Sequence, residues 1–438
     1  MLEALATRLR QAAPQLLLAR RTQRHRAAAP AGTPSRVAEP EARFCSLLDL
    51  GAGTIKALVV DRGAEGIDSV PTILAAGAAP APPSTAGPLS DELLAAAEQA
   101  LVDAEDRAGV VPRSVVITLS GPEVAVATGR AEVDRPPGLL PIAEQDCESL
   151  REEARAAAHA AARRQLFADR LSNDLPPLRL CESQELAWEL DQVAVRQPVG
   201  RTAARFGVVL AAAFATAGAL ERAAAVAEAL DLELRAVSCQ PFALGAVLAR
   251  SPLAPALIVE VGAAHTTLTL VTPHGPAGAA GFPLGGLALE ARLCSELGLD
   301  AATARAALQA HAAGASEYSA AGPGAARIVR RLAEQHADVW LDALELACAE
   351  LARAHVLPPH LLLCGGGAAL PELRAALARR TWAAALPLAR PPAVSLLTPD
   401  DVPGVAGSAG TLPALQLAPL LAVAARVPGP DTRSPGGS

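Results

Sequence analysis

Apolar residues in this chain fall in short continuous runs that end at glycine. Phe44 to Leu48 reads as a buried strand, and it runs into Asp49-Leu50-Gly51-Ala52-Gly53-Thr54-Ile55-Lys56, the turn of a hairpin. Residues 256–271, ALIVEVGAAHTTLTLV, repeat the arrangement: a buried strand, a loop from Glu260 to Thr266, then an alternating strand. Residues 360–373, HLLLCGGGAALPEL, place a strand before Gly365-Gly366-Gly367 and a helix from about Pro371, where proline suits the first turn. Two longer apolar stretches, 206–220 and 412–425, are Ala-rich and either too short for a membrane span or interrupted by Pro413 and Pro419. They read as core strand and helix.

Size and composition narrow the class. The chain has 438 residues, more than one hydrophobic core usually supports, since cores stop growing near ~250–300 residues. Hydrophobic residues make up 51% of the chain but aromatics only 2%, so the cores must be built from Ala, Leu and Val. The net charge of −7, with no run that mixes aromatic and basic residues, argues against a nucleic-acid partner. Seven scattered cysteines without a C-x-x-C pair read as small buried hydrophobes in a reducing compartment. The first 26 residues have apolar positions punctuated by arginines and no convincing cleavage site, so the expected location is cytoplasmic, with access to the inner face of the membrane.

Lys56 is the only lysine, every other basic position apart from histidine being arginine. At the end of a Gly-x-Gly turn a lysine supplies a compact charge for phosphate, the glycines let backbone N–H groups approach phosphate oxygens, and Asp49 at the strand end can hold Mg²⁺ through water. A glycine triplet between strand and helix lets the backbone lie flat against a nucleotide. No Ser-His-Asp order, H-E-x-x-H or carboxylate pair offers a competing site.

Two hairpin loops followed by a late glycine turn is the order of the actin, Hsp70 and sugar kinase superfamily, and the chain resembles its FtsA branch from about Phe44 to Ala425. Residues 89–109 look like the helix before the inserted subdomain of FtsA-like proteins, 114–132 like its first strands with Leu-Ser-Gly, 141–158 like a helix start, and 183–206 like its return path through Pro198-Val199-Gly200. The resemblance implies an α/β, two-lobed actin-like ATPase fold with an inserted α+β (SHS2-type) subdomain in the first lobe. Its expected parts are a basic segment and Pro/Ala linker at 1–43, a first lobe at 44–87 and 197–250, the insertion at 88–196, and a second lobe at 251–425. Within the second lobe 289–351 is an outer helical subdomain and 405–425 a final helix returning to the first lobe; 426–438 is a disordered tail.

The same resemblance implies ATP and Mg²⁺ as cofactors. Asp49 is the Mg²⁺-side carboxylate, Gly51, Ala52, Gly53 and Thr54 the first phosphate loop, and Lys56 its charge. Gly262, Ala263 and Thr266 form the second phosphate loop, Gly285 and Gly286 a later pair turning toward the nucleotide, and Gly365, Gly366 and Gly367 the adenosine loop. Gln240 stands near the residue that orients attacking water, and Glu260 takes the place of the family's second Asp. His265 is expected to be solvated.

Several departures matter. The family pattern Asp-Ile-Gly-Gly-Gly-Thr has become Glu260-Val261-Gly262-Ala263-Ala264-His265, which restricts the turn, and the helix at 301–314 lacks the family's Glu and Lys, having Ala, Leu and Gln309 instead. The chain ends in VPGPDTRSPGGS, which cannot form the family's amphipathic helix. Residues 1–26, with leucines near helical spacing and six arginines, offer an alternative contact with an acidic membrane surface, though Pro14 breaks the helix. The leading expectation is an FtsA-like cell-division protein, at most a slow ATPase, that forms filaments and links an FtsZ-like tubulin homologue to the membrane. The close alternative is PilM, the actin-like component of type IV pilus assembly, which binds the tail of a membrane protein; its version of the second loop resembles VEVGAAHTTLTLV, and LGLDAATARAAL is similar too. A sugar kinase or chaperone-type enzyme is disfavoured by the insertion.

Overall fold

The computed structural model describes residues 43–427 apart from 64–69, 84, 86, 88, 136–139, 168–175, 316–323, 380, 381, 385, 389, 408, 409 and 411. The expectations for the basic segment 1–26 and for the tail beyond 427 lie outside these residues.

The chain opens with the predicted hairpin. Strands β1 (Phe44–Leu50) and β2 (Thr54–Asp61) pair antiparallel, with Asp49 opposite Lys56, and β3 (Thr72–Pro80) follows on β2. Helix α1 (Asp91–Ala108) starts at Ser90, whose hydroxyl accepts the N–H of Leu93, and stops at Gly109 in the left-handed conformation. Its apolar face, with Leu93, Ala97, Leu101 and Ala104, covers the first sheet, and the backbones come so close that a Cβ on Gly77 would lie 2.1 Å from Ala100 O. Strand β4 (Ser114–Leu119) then runs parallel to β1.

An inserted unit follows in the order strand, helix, strand, strand: β5 (Val124–Asp134), α2 (Glu144–Phe167), β6 (Leu178–Leu190) with a short partner β7 (Val193–Val195), and β8 (Arg205–Thr216). These strands form their own sheet in the order β5-β8-β6-β7. The insertion expected at 88–196 therefore shifts to 124–216. Residues 89–119 bury against the first sheet, β4 having six buried residues in a row, and β8 pairs with β5 and β6 along its length. Pro198-Val199-Gly200 lies inside the unit, where Gly200 N–H bonds Ile142 O at 2.9 Å.

The first lobe resumes with α3 (Ala217–Ala229), β9 (Glu233–Cys239), parallel to β4, and α4 (Gln240–Leu248). The second lobe repeats the plan. Strands β10 (Ala256–Val261), β11 (Thr266–Thr272) and β12 (Gly275–Phe282) form an antiparallel meander, and helices α5 (Gly286–Leu297), α6 (Ala301–Ala312) and α7 (Ala325–Ala352) make the outer layer. Then β13 (His360–Cys364) runs parallel to β10, followed by α8 (Pro371–Ala378) and β14 (Ala393–Leu396). The two sheets match strand for strand: β3-β2-β1-β4-β9 and β12-β11-β10-β13-β14. Last come β15 (Ala406–Gly407), which pairs with β3, and α9 (Ala414–Ala424). The final helix thus begins at 414, after a short strand, rather than near 405.

Helices α4 and α9 lie between the sheets. Leu47, Leu58 and Val60 from one side and Ile258 and Leu362 from the other enclose Leu244, Leu248, Leu417 and Leu421. All nine residues of α4 are buried, which is why its sequence has no polar face. All seven cysteines are free thiols, five of them buried, as small hydrophobes should be. Among the described residues no helix is long and apolar enough to cross a membrane.

Candidate functional site

The cleft between the lobes has a volume of about 810 Å³, and the strand ends and glycine turns converge on it. On the first lobe Lys56 Nζ meets Asp49 Oδ2 at 2.5 Å, with both side chains largely buried. The turn between them is tight: a Cβ on Gly51 would stand 2.7 Å from Thr54 O. Leu50, Ala52, Gly53 and Thr54 complete this wall.

On the second lobe Glu260 occupies the position of Asp49. Its Oε1 accepts the Gln240 Nε2 donor at 2.6 Å, and its Oε2 has no hydrogen-bond partner. Burial, and after it the negative charge of Asp49, pushes the Glu260 carboxyl up to about 7. Strand register places Thr267, not Thr266, opposite Glu260, just as Lys56 stands opposite Asp49. Thr267 lines the cleft. Thr266, expected to be a phosphate ligand, points the other way because side chains alternate along a strand: it is fully buried, donates to Leu284 O at 2.7 Å and accepts from Trp340 Nε1 at 3.0 Å.

The second loop is a closed turn. Gly262 N–H closes its own turn on His265 O at 3.0 Å, while the carbonyls of Gly262 and Ala263 accept the N–H groups of Gly286 (3.1 Å) and Leu287 (2.8 Å) at the start of α5. Gly286 reaches the cleft, whereas Gly285 packs beneath the loop, where a Cβ would fall 2.4 Å from Gly262 O. Across the cleft the two loops touch: a Cβ on Gly53 would lie 2.5 Å from the Ala263 methyl. His265 is half-buried rather than solvated. Burial holds its imidazole down to about 4, so it is neutral at pH 7, and its ring packs where a Cβ on Gly281 would lie, 2.3 Å from Cε1.

The third turn lies flat on the end of β10. Cβ atoms on Gly365 and Gly367 would each come within 2.5 Å of Val261, and Gly366 faces the Gln416 amide. Pro419 fixes this turn indirectly. It has no N–H to give to Leu415 O, and Gly365 N–H takes that carbonyl at 2.8 Å. Beside the triplet Glu290 of α5 and Arg305 of α6 form a two-armed ion pair at 2.9 and 3.2 Å, with Leu308 and Gln309 nearby. A polar pair is therefore present where helix α6 alone suggested a loss. The missed partner sits on the preceding helix; a Glu and an Arg on neighbouring helices was the only signal available.

Every sequence-predicted site residue except Thr266 and Gly285 lines this cleft. The donor set fits a nucleotide with a hydrated divalent cation: two carboxylates, one of them with an orphaned oxygen, face a single lysine between two glycine turns. Among the described residues no cluster of three or more His, Cys, Asp or Glu offers direct metal ligation, so such a cation would keep its water.

No protein-family model matches the sequence, and no curated protein matches it. Solved structures do match. The PilM-PilN type IV pilus biogenesis complex aligns with a TM-score of 0.57 at 19% identity, over 88% of this chain and 99% of that one. The ethanolamine utilization protein EutJ from Carboxydothermus hydrogenoformans aligns at a TM-score of 0.41 and 13% identity, over 94% and 98% of the two chains. The ROK hexokinase from Thermus thermophilus gives 0.32 and 14%, over 86% and 97%. The chain has the actin-like ATPase fold.

Proposed function

We propose that this protein is an actin-like nucleotide-binding scaffold of the PilM kind, which takes Mg²⁺-ATP in its interlobe cleft and the tail of a membrane protein on its inserted unit. The observation that carries the nucleotide reading is the convergence of Asp49, Lys56, Glu260 and Gln240 between two glycine turns. Asp49 and Glu260 would hold hydrated Mg²⁺, Lys56 and the first turn the phosphates, Gly365 to Gly367 the adenosine, and Glu290 with Arg305 its polar edges. Bound Mg²⁺-ATP supplies the charge that joins the two loops. Turnover is slow in this reading, because Gln240 spends its amide on Glu260 rather than on an attacking water.

The docking role is supported by an open strand edge. The inserted unit leaves β6 without a ladder partner on one side from 178 to 187 among the described residues, β7 pairing only over 188–190. An extended polypeptide adds to such an edge through backbone hydrogen bonds. PilM is similar in fold over nearly its whole length, and its structure is that of a complex with PilN.

An FtsA-type role is the second reading. It is favoured by Val133, Leu140, Val193 and Val199, exposed apolar residues at the far end of the inserted unit that suit self-association into filaments.

Calorimetry with Mg²⁺-ATP on the intact protein and on Lys56→Ala and Asp49→Ala tests the cleft: micromolar binding lost in both variants is expected, and no binding in the intact protein would remove the nucleotide from the proposal. Co-purification separates the roles, since a pilus-assembly membrane protein identifies the first and an FtsZ-like polymer the second.

A further inference from the structure

Among the described residues the inserted unit touches β12 of the second lobe and the turn before it. Gln165 of α2 donates from Nε2 to Ala279 O at 2.6 Å, and Gln184 of β6 donates to His274 O at 3.2 Å. Leu186 occupies the space over Gly275, where a Cβ would stand 2.6 Å from its Cδ2. Ala279 shares an apolar cluster with Val124 and Val126 of β5 and Ala213 of β8. β12 is the edge of the second sheet, and the two glutamine amides cap one carbonyl of this strand, Ala279 O, and one of the turn that leads into it, His274 O.

The same strand runs on into the cleft. The His265 ring packs over Gly281, Leu284 O accepts the Thr266 hydroxyl, and Gly285 lies directly under Gly262 and Ala263. One continuous segment therefore has the inserted unit at one end and the second phosphate loop at the other.

We propose that the inserted unit is a latch across the two lobes: Gln165 holds β12 and Gln184 the turn that leads into it, and β12 holds the second phosphate loop in register with the first. Opening the cleft by rotation of the lobes breaks both bonds together. The latch has a built-in release, because Gln184 and Leu186 belong to β6, the strand whose free edge was proposed above to receive a polypeptide. Occupying that edge shifts the strand that carries the latch. The latch itself rests on the contacts with β12 and the turn before it; its release and its effect on nucleotide rest on the proposed function.

The test is hydrogen–deuterium exchange on the full chain without nucleotide, comparing the native protein with Gln165→Ala/Gln184→Ala. Loss of two ordinary hydrogen bonds predicts roughly tenfold faster exchange, both in 274–284 and in the distant loop 262–266, with β1 and β2 unchanged. Leu186→Ala, which removes packing but no hydrogen bond, gives the same pattern more weakly and guards against a folding defect in the double variant. Faster exchange confined to 274–279, or none, would overturn the latch. A second arm measures dissociation of a fluorescent ATP analogue, expected to be faster in the double variant; an unchanged rate overturns the coupling. A native protein that binds no analogue refutes the nucleotide reading, and the exchange result then judges the latch by itself.

Discussion

Gln240, the first residue of the buried helix α4, reaches from the first lobe to the second and donates to Glu260 at 2.6 Å, leaving the other carboxylate oxygen of Glu260 without a partner. Burial and the negative charge of Asp49, against the opposing effect of the Gln240 bond, make this carboxyl more basic than in the unfolded chain, and the stability of the protein must then depend on pH. The folded-state value of about 7 lies above the ordinary carboxyl value of 4.5. Folding is therefore favoured while Glu260 is protonated, and that contribution is lost as pH rises through 7, amounting to about 3 kcal/mol at most. Scanning calorimetry from pH 5 to 8 should show Glu260→Gln gaining on the native protein as pH rises, with the difference largest at pH 8. Parallel curves would show that Glu260 is not the titrating group.

Asp49 and Lys56 make a pair whose members depend on one another. Removing either leaves the other charge enclosed, so Lys56→Met or Asp49→Asn alone should destabilise by about 3 kcal/mol in urea unfolding, and the two together by much less. Additive losses would mean that the pair interacts only weakly.

Ala263 sets the gap between the loops. Enlarging it to Val pushes against Gly53, and Ala263→Val should weaken Mg²⁺-ATP binding at least roughly tenfold, an order of magnitude expected for overpacking. Ala263→Gly restores freedom to the turn and should bind more tightly than the native protein. The two affinities, measured by calorimetry, should fall on opposite sides of the native value.

Adjacent threonines should behave in opposite ways. Thr266→Val deprives Leu284 O and the Trp340 indole of their partner and should lower stability by about 2 kcal/mol without altering nucleotide affinity. Thr267→Val, facing the cleft, should leave the melting temperature nearly unchanged and weaken nucleotide binding. Thermal melts and calorimetry on both variants decide whether the strand register assigns their roles.

This register shows where reading the sequence stops. The hairpin at 44–61, the second at 256–272 and the glycine triplet were all legible, because buried strands and tight turns leave local signatures in apolar runs and glycines. Which of two neighbouring threonines faces the cleft was not, since a shift of one residue reverses every side chain and nothing local fixes it. Strand β4 was assigned to the insertion for a similar reason: an apolar run of six residues does not say which sheet it joins.

The sequence alone determined which turns line the cleft. A single lysine behind Gly-x-Gly, a second hairpin and a glycine triplet are chain-local facts, and they select the fold and the cleft. Tertiary structure decided the rest. Glu290 and Arg305 meet only because two helices pack, Glu260 becomes basic only because the lobes enclose it beside Asp49, and Gln165 finds Ala279 across 114 residues of chain. Distances between side chains far apart in sequence, and the burial that shifts their charges, exist only after the two lobes close on one another.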